Sequence, residues 1–309
     1  VSVTDITDRL DPALRHLAGS RTNLSADGLD AYRESLNRRR RDAAQALDIS
    51  GVAVEDTSAG AVPVRIYRGG SAVTAAVIYC HSGAFVLGNL DVDHRQCVEL
   101  AKRGRCTVIS MDYRLAPENP FPAALDDAAA VLHWAAANGA RLCIDTDRLA
   151  AAGTSAGGAL AARLAQRAGQ GRAPRIVFQL LHQPVLDDRP TPSKQQFVST
   201  PGFDSTAVAL MWRHYLAGGH ATADAAPARF TEISGLPPAL ITCSELDPLR
   251  DEALDYAVRL MRAGVPTELH TFPGTCHGFD AFVPEWKTSQ QLYVLQGAAL
   301  RTAFDRAAG

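Results

Sequence analysis

Four short runs free of charged residues constrain the fold of this chain more than any other feature: Thr74 to Cys80, Cys106 to Met111, Ile176 to Leu181 and Ala239 to Cys243. A strand with one wet face alternates apolar and polar side chains, whereas a strand covered on both faces reads as a continuous apolar run. Helical patterns lie between these runs. One has Asp91 as candidate N-cap and Gly104 as its stop. A second places Phe121, Leu125, Ala128 and Leu132 on one face and ends near Gly139. A last one carries Leu292, Leu295, Ala299 and Ala303. This alternation predicts an α/β fold with a mostly parallel central sheet covered by helices on both faces. With 309 residues, 47% of them hydrophobic, the chain can bury such a core.

Two regions break the rhythm. Residues 1–48 show amphipathic helical spacing at Leu29, Tyr32, Leu36, Ala43 and Leu47. In the strand pair that follows, Val62, Val64 and Ile66 face one way and Arg65 and Tyr67 the other, the pattern of an antiparallel hairpin at a sheet edge. Residues 184–237 offer no buried strand, only small and polar residues around an aromatic helix, Met211 to Leu216. A stretch this long between core strands predicts a lid or functional insertion rather than a plain loop.

The formal net charge of −2 gives no reason to expect nucleic acid or an anionic membrane as partner. The dense basic run Arg38 to Arg41 falls in a helical stretch and reads as a solvated face. Six singly spaced cysteines fit free thiols in a reducing compartment better than a disulfide framework or a metal site. No apolar run approaches the roughly 18 residues of a membrane span, and no signal-peptide pattern opens the chain. The expectation is a soluble cytoplasmic protein without a membrane anchor.

Chemistry enters at Gly153-Thr154-Ser155-Ala156-Gly157. Leu149 to Ala152 reads as the end of a buried strand and Ala159 to Ala165 as a helix. A Gly-x-Ser-x-Gly frame between the two lifts a serine hydroxyl out at the sheet edge as a nucleophile. A serine needs a base within reach and an acid to orient that base. His277 follows a strand ending at Phe272, in a loop where Gly274 and Gly278 leave the ring free to reach a neighbour. His270, inside an alternating strand, and His133, on a helix, read as packing or surface residues. The loop after Cys243 offers Glu245, Asp247 and Asp251 as acids, and spacing does not choose among them; Asp247-Pro248 is also a good helix start. Amides to stabilise an oxyanion are available in the loop His81-Ser82-Gly83-Ala84-Phe85 and at Ala156.

Taken together, His81 to Phe85, Asp112-Tyr113-Arg114-Leu115-Ala116-Pro117-Glu118, Gly153 to Gly158, Asp247-Pro248-Leu249-Arg250-Asp251 and His277-Gly278-Phe279 resemble the hormone-sensitive-lipase family of serine carboxylesterases. The resemblance implies an α/β-hydrolase catalytic domain over residues 49–309. It implies a helical cap built from residues 1–48 and the insertion near 184–237. It further implies a triad of Ser155, Asp247 and His277, an oxyanion hole of the Gly83, Ala84 and Ala156 amides, and no cofactor or metal. The substrate would be a small-molecule ester with a short- to medium-chain acyl group, and a homodimer through an edge strand is expected. One departure stands out. Where the family has His-Gly-Gly-Gly, this chain has Ser82 and Ala84 in the outer glycine positions, so Ala84 should narrow the space beside the scissile carbonyl. His81 is expected to tie the loop down. Phe85, Trp212, Tyr215 and Phe279 are expected to wall the acyl site. An amidase or deacetylase on the same triad, and a non-catalytic small-molecule receptor on the same scaffold, are the alternatives.

Overall fold

Each of the four apolar runs falls on a strand whose start it matches to within two residues in the computed structural model, which describes residues 6–70 and 72–308. The strands are β1 (Ala53–Ala59), β2 (Val62–Arg68), β3 (Thr74–Cys80), β4 (Thr107–Met111), β5 (Ile144–Thr154), β6 (Phe178–His182), β7 (Ala239–Leu246) and β8 (Thr267–Cys276). They form one eight-stranded sheet in the order β1-β2-β4-β3-β5-β6-β7-β8. The β1–β2 and β2–β4 pairs are antiparallel and all others parallel. The hairpin therefore sits at one edge, and the carboxyl ends of β3, β5, β6, β7 and β8 open on the same side of the sheet, where an open α/β fold places its ligands.

Burial on both faces explains the unbroken apolar strands. Along β3, Ala76, Ile78 and Cys80 pack into one layer with helices Ala123–Ala137, Ala156–Gly169 and Arg250–Arg262. Ala75, Val77 and Tyr79 pack into the other, against helices His94–Gly104 and Lys287–Ala308. That second layer also explains a departure from the sequence pattern. Tyr67, on the outer side of β2 by alternation, is fully buried, because the His94–Gly104 helix covers it and its hydroxyl meets Nδ1 of His94 at 3.0 Å. The same helix begins after Asp93 rather than Asp91, whose carboxylate is taken by Arg65 at 2.8 Å.

The stretch from 184 to 237 contains helices Pro192–Gln196 and Ser205–Leu216 and no strand. It meets the N-terminal segment directly. The Gly202 N–H donates to the Ser20 carbonyl at 3.0 Å, and Nε2 of His214 lies 2.8 Å from the Leu24 carbonyl. Helix Leu29–Ala46 continues from there across the carboxyl ends of the strands, where its residues border the same cavity as Ser155.

Candidate active site

Ser155 stands between β5 and the Ala156–Gly169 helix with φ 56° and ψ −118°. A residue with a Cβ reaches such a conformation only at a cost of about 1–3 kcal/mol, met by the surrounding fold. The frame's glycines are required by contact. A Cβ on Gly157 would lie 1.9 Å from the Cys80 carbonyl oxygen, and one on Gly153 would lie 2.2 Å from the Gly157 carbonyl oxygen. Strand and helix thus approach to a distance that no side chain tolerates, and the serine projects at the turn.

His277 reaches this serine from the end of β8. Its Nε2 is 3.0 Å from Ser155 Oγ and its Nδ1 is 2.8 Å from Oδ2 of Asp247. All three are buried, Asp247 completely. The other Asp247 oxygen accepts the Leu249 N–H at 2.8 Å. A carboxylate offers only acceptors, so Nδ1 carries the proton and Nε2 is left to accept from the serine hydroxyl. The two other candidate acids are engaged elsewhere. Glu245 accepts from Arg9 at 3.0 Å and from the Gly274 N–H at 2.8 Å, and Asp251 accepts from the Ser193 N–H at 2.7 Å. The helix after Asp247 starts only at Arg250, so Asp247 is not its cap.

The loop facing the serine holds a run of positive φ angles: Gly83 at 129°, Ala84 at 55° and Phe85 at 61°. Among the described residues the N–H groups of Gly83 and Ala84 have no hydrogen-bond partner. Those two amides are available to a developing negative charge. The hydroxyl and N–H of Ser82 both donate to Asp93, each at 2.8 Å. Asp93 also accepts from the Tyr79 hydroxyl at 2.9 Å, and that oxygen lies 2.9 Å from Thr154 Oγ1. One carboxylate thus joins the loop to the residue preceding the nucleophile. The serine in place of glycine gains a function here, and only its departure from the family pattern marked it in the sequence. His81 is buried, with its Nδ1 2.6 Å from the Ser82 carbonyl and its ring stacked 4.1 Å from that of Tyr113. Burial holds its imidazole below the ordinary range, and the ring's hydrogen bond goes to the Ser82 carbonyl rather than to Ser155.

The α/β-hydrolase fold family matches residues 77–281. The chain is 40% identical over 263 residues to Esterase LipI of Mycobacterium tuberculosis, covering 82% of each chain. It is 36% identical over 244 residues to Ethyl acetate hydrolase of Pseudomonas putida, covering 75% of each. The crystal structure of esterase LipW from Mycobacterium marinum superposes with a TM-score of 0.95 at 55% identity, covering 98% of this chain and 99% of that one. This chain belongs to the α/β-hydrolase fold family, on its hormone-sensitive-lipase-like branch.

Beside Ser155, this α/β-hydrolase has a cavity of about 610 Å³. Its floor is formed by Gly83, Ala84, Ser155 and His277, its apolar side by Leu87, Val92 and Phe203, and its outer wall by Tyr32, Leu36, Arg39 and Arg40. The Phe203 ring lies 5.0 Å from that of His277. The aromatic residues expected on this wall are elsewhere. Phe85 stacks on Tyr215 at 3.8 Å with Trp212 beside them, and Phe279 packs among Phe272, His182 and Trp286; none of the four lines the cavity. Their aromatic area is spent on each other, beneath the site. Conversely, Arg39 and Arg40 border the cavity rather than belonging to a merely solvated face.

Among the described residues no helix is long and apolar enough to cross a membrane. All six cysteines are free thiols; five are buried and Cys143 is exposed.

Proposed function

We propose that this α/β-hydrolase is a carboxylic ester hydrolase acting on short- to medium-chain acyl esters through an acyl-enzyme. The observation that carries this is the imidazole of His277 bridging Ser155 and Asp247 at 3.0 and 2.8 Å. His277 takes the hydroxyl proton as Ser155 attacks the ester carbonyl, and Asp247 keeps the imidazole in the accepting tautomer. The oxyanion is received by the amides of Gly83, Ala84 and Ala156, His277 protonates the departing alcohol, and water clears the acyl group by the same route. Such an amide donor is typically worth about 3–4 kcal/mol of transition-state stabilisation. The names of the relatives, an esterase and an ethyl acetate hydrolase, agree with this chemistry.

The N-terminal helices and the 184–237 insertion serve together as a cap, a role supported by their mutual hydrogen bonds and by the cavity wall drawn from Leu29–Ala46. Hydrolysis of a graded series of p-nitrophenyl acyl esters, with Ser155→Ala as control, tests the proposal. Activity that is lost in the variant and ranked by acyl length is expected; turnover that survives Ser155→Ala refutes it. Matched ester and anilide substrates separate esterase from amidase chemistry.

A further inference from the structure

The carboxyl end of β6 makes contacts that the reaction scheme does not use. The Ser155 N–H donates to the His182 carbonyl at 2.9 Å, and the Val185 N–H donates to the Ser155 carbonyl at 3.0 Å. The nucleophile's backbone is therefore held on both sides by residues 182 and 185. Between them the side chain of Gln183, fully buried, crosses to the loop that carries His277. Its Oε1 accepts the Gly278 N–H at 2.8 Å, and its Nε2 lies 2.6 Å from Ser244 Oγ and 3.4 Å from the Cys276 carbonyl. The two peptide groups it grips are the ones that flank His277.

We infer that Gln183 is a positioning residue that fixes the reach of His277 to Ser155, from a four-residue segment that also fixes the serine. The chemistry demands an amide at this length. Glutamine both accepts and donates, whereas glutamate offers only acceptors when ionised and methionine offers no donor and only a weak sulfur acceptor. The segment itself is stiff. Gln183 is held at φ 47°, the next residue is Pro184 with its fixed φ, and a Cβ on Gly158 would lie 2.7 Å from the Cβ of Pro184. The gripped peptides lie where β8 ends: the Cys276 carbonyl also accepts from Ser244 Oγ at 3.0 Å, while the Gly278 N–H, on a residue at φ 75°, goes to the Gln183 amide. Without the amide, nothing on the serine's own segment would hold the peptides on either side of the imidazole. His182 adds a tie farther along, its Nε2 lying 3.2 Å from Oδ1 of Asp280.

The inference rests on the catalytic assignment proposed above, so Ser155→Ala is measured alongside. Gln183→Met keeps the volume and removes all the hydrogen bonds. The expected result is a folded variant whose kcat falls about 10- to 100-fold, the scale of a roughly 1 Å misplacement of a catalytic group. KM should be essentially unchanged, the acid limb of the pH–rate profile displaced, and the low-field Nδ1 proton resonance of His277 broadened or moved. Gln183→Glu should recover only part of kcat. If Gln183→Met does not fold, Gln183→Asn, one methylene too short to hold both peptides, carries the same readouts. A folded variant with wild-type kcat and a wild-type acid limb overturns the inference while leaving the triad intact. Equal loss of kcat and of titratable active sites would also overturn it, since that is loss of fold rather than of orientation. Activity persisting in Ser155→Ala is a different failure, that of the triad itself.

Discussion

Asp247→Asn should cripple the enzyme through the wrong imidazole tautomer, and the hydrogen bonds around Asp247 give the size of the effect. One carboxylate oxygen accepts from Leu249 N–H and the other from His277 Nδ1–H, both at 2.8 Å, in a fully buried site. An asparagine has one acceptor and must choose. If its oxygen serves the Leu249 N–H, its NH₂ group faces Nδ1, which must then give up its proton. Nε2 becomes the protonated nitrogen and cannot accept from Ser155. The opposite flip sets NH₂ against the Leu249 N–H and strands a buried donor, at a cost of about 1–3 kcal/mol, which favours the unproductive tautomer by about 5- to 150-fold. A neutral acceptor also stabilises the imidazolium less than a carboxylate does, by about a further 1–1.5 kcal/mol. Together these lower kcat between about 30- and 2,000-fold. KM should hold, because the loss is felt in the transition state. Initial rates on p-nitrophenyl butyrate measure it, and ¹⁵N shifts of the His277 ring report the tautomer. A folded Asp247→Asn variant with more than about a fifth of wild-type kcat, or one whose Nδ1 remains protonated, refutes the reasoning.

Three other perturbations have defined outcomes. Gly83→Ala would place a Cβ 2.1 Å from the Leu87 carbonyl oxygen at φ 129°, so the loop must shift and lose an oxyanion donor. Its kcat should drop about 10²- to 10³-fold, and a drop of less than tenfold in single-turnover acylation would sink the assignment of that amide. Ala84→Gly suits its φ of 55° without strain and removes a methyl from the cavity floor. It should raise kcat/KM for esters of branched alcohols relative to linear ones, and an unchanged ratio counts against the steric role. Burial pushes Glu252 up to about 7, against the pull of Lys194, whose Nζ lies 2.5 Å away. The folded chain therefore keeps a proton that the unfolded chain has released, so this group's contribution to stability falls as pH rises from its ordinary value through about 7. Urea unfolding at pH 5 and 7.5 should show wild type losing on the order of 2 kcal/mol relative to Glu252→Gln; parallel behaviour of the two proteins contradicts it.

The scaffold was legible because covering a sheet on both faces leaves its mark residue by residue: β3 and β4 carry no charged residue and are buried at nearly every position, and their boundaries are close to those read from sequence. The serine turn was legible for a related reason, since close approach of backbone admits only glycine, and Gly153 and Gly157 stand where that approach occurs. Choosing Asp247 over Glu245 and Asp251 needed the family resemblance, because all three lie within a short stretch from the end of β7 to the start of the Arg250–Arg262 helix and only the path of the chain decides which carboxylate meets His277. Phe85, Trp212, Tyr215 and Phe279 illustrate a harder limit. Aromatic composition shows that a large apolar surface must be covered, not what covers it, and here the rings cover one another. Gln183 gave no signal at all, because its partners lie 61 to 95 residues away and its amide matters only once three strand ends converge.

The wall opposite Ser155 comes from Leu29–Ala46, far along the chain from the turn that carries the hydroxyl. One wall of the space a guest must fit is thereby encoded in a stretch of gene separate from those for the reacting groups. Exchanging the stretch that encodes this helix between related enzymes would transplant a preference for the guest while leaving the bond-breaking apparatus untouched, a route by which one hydrolytic scaffold can diversify without rebuilding its centre.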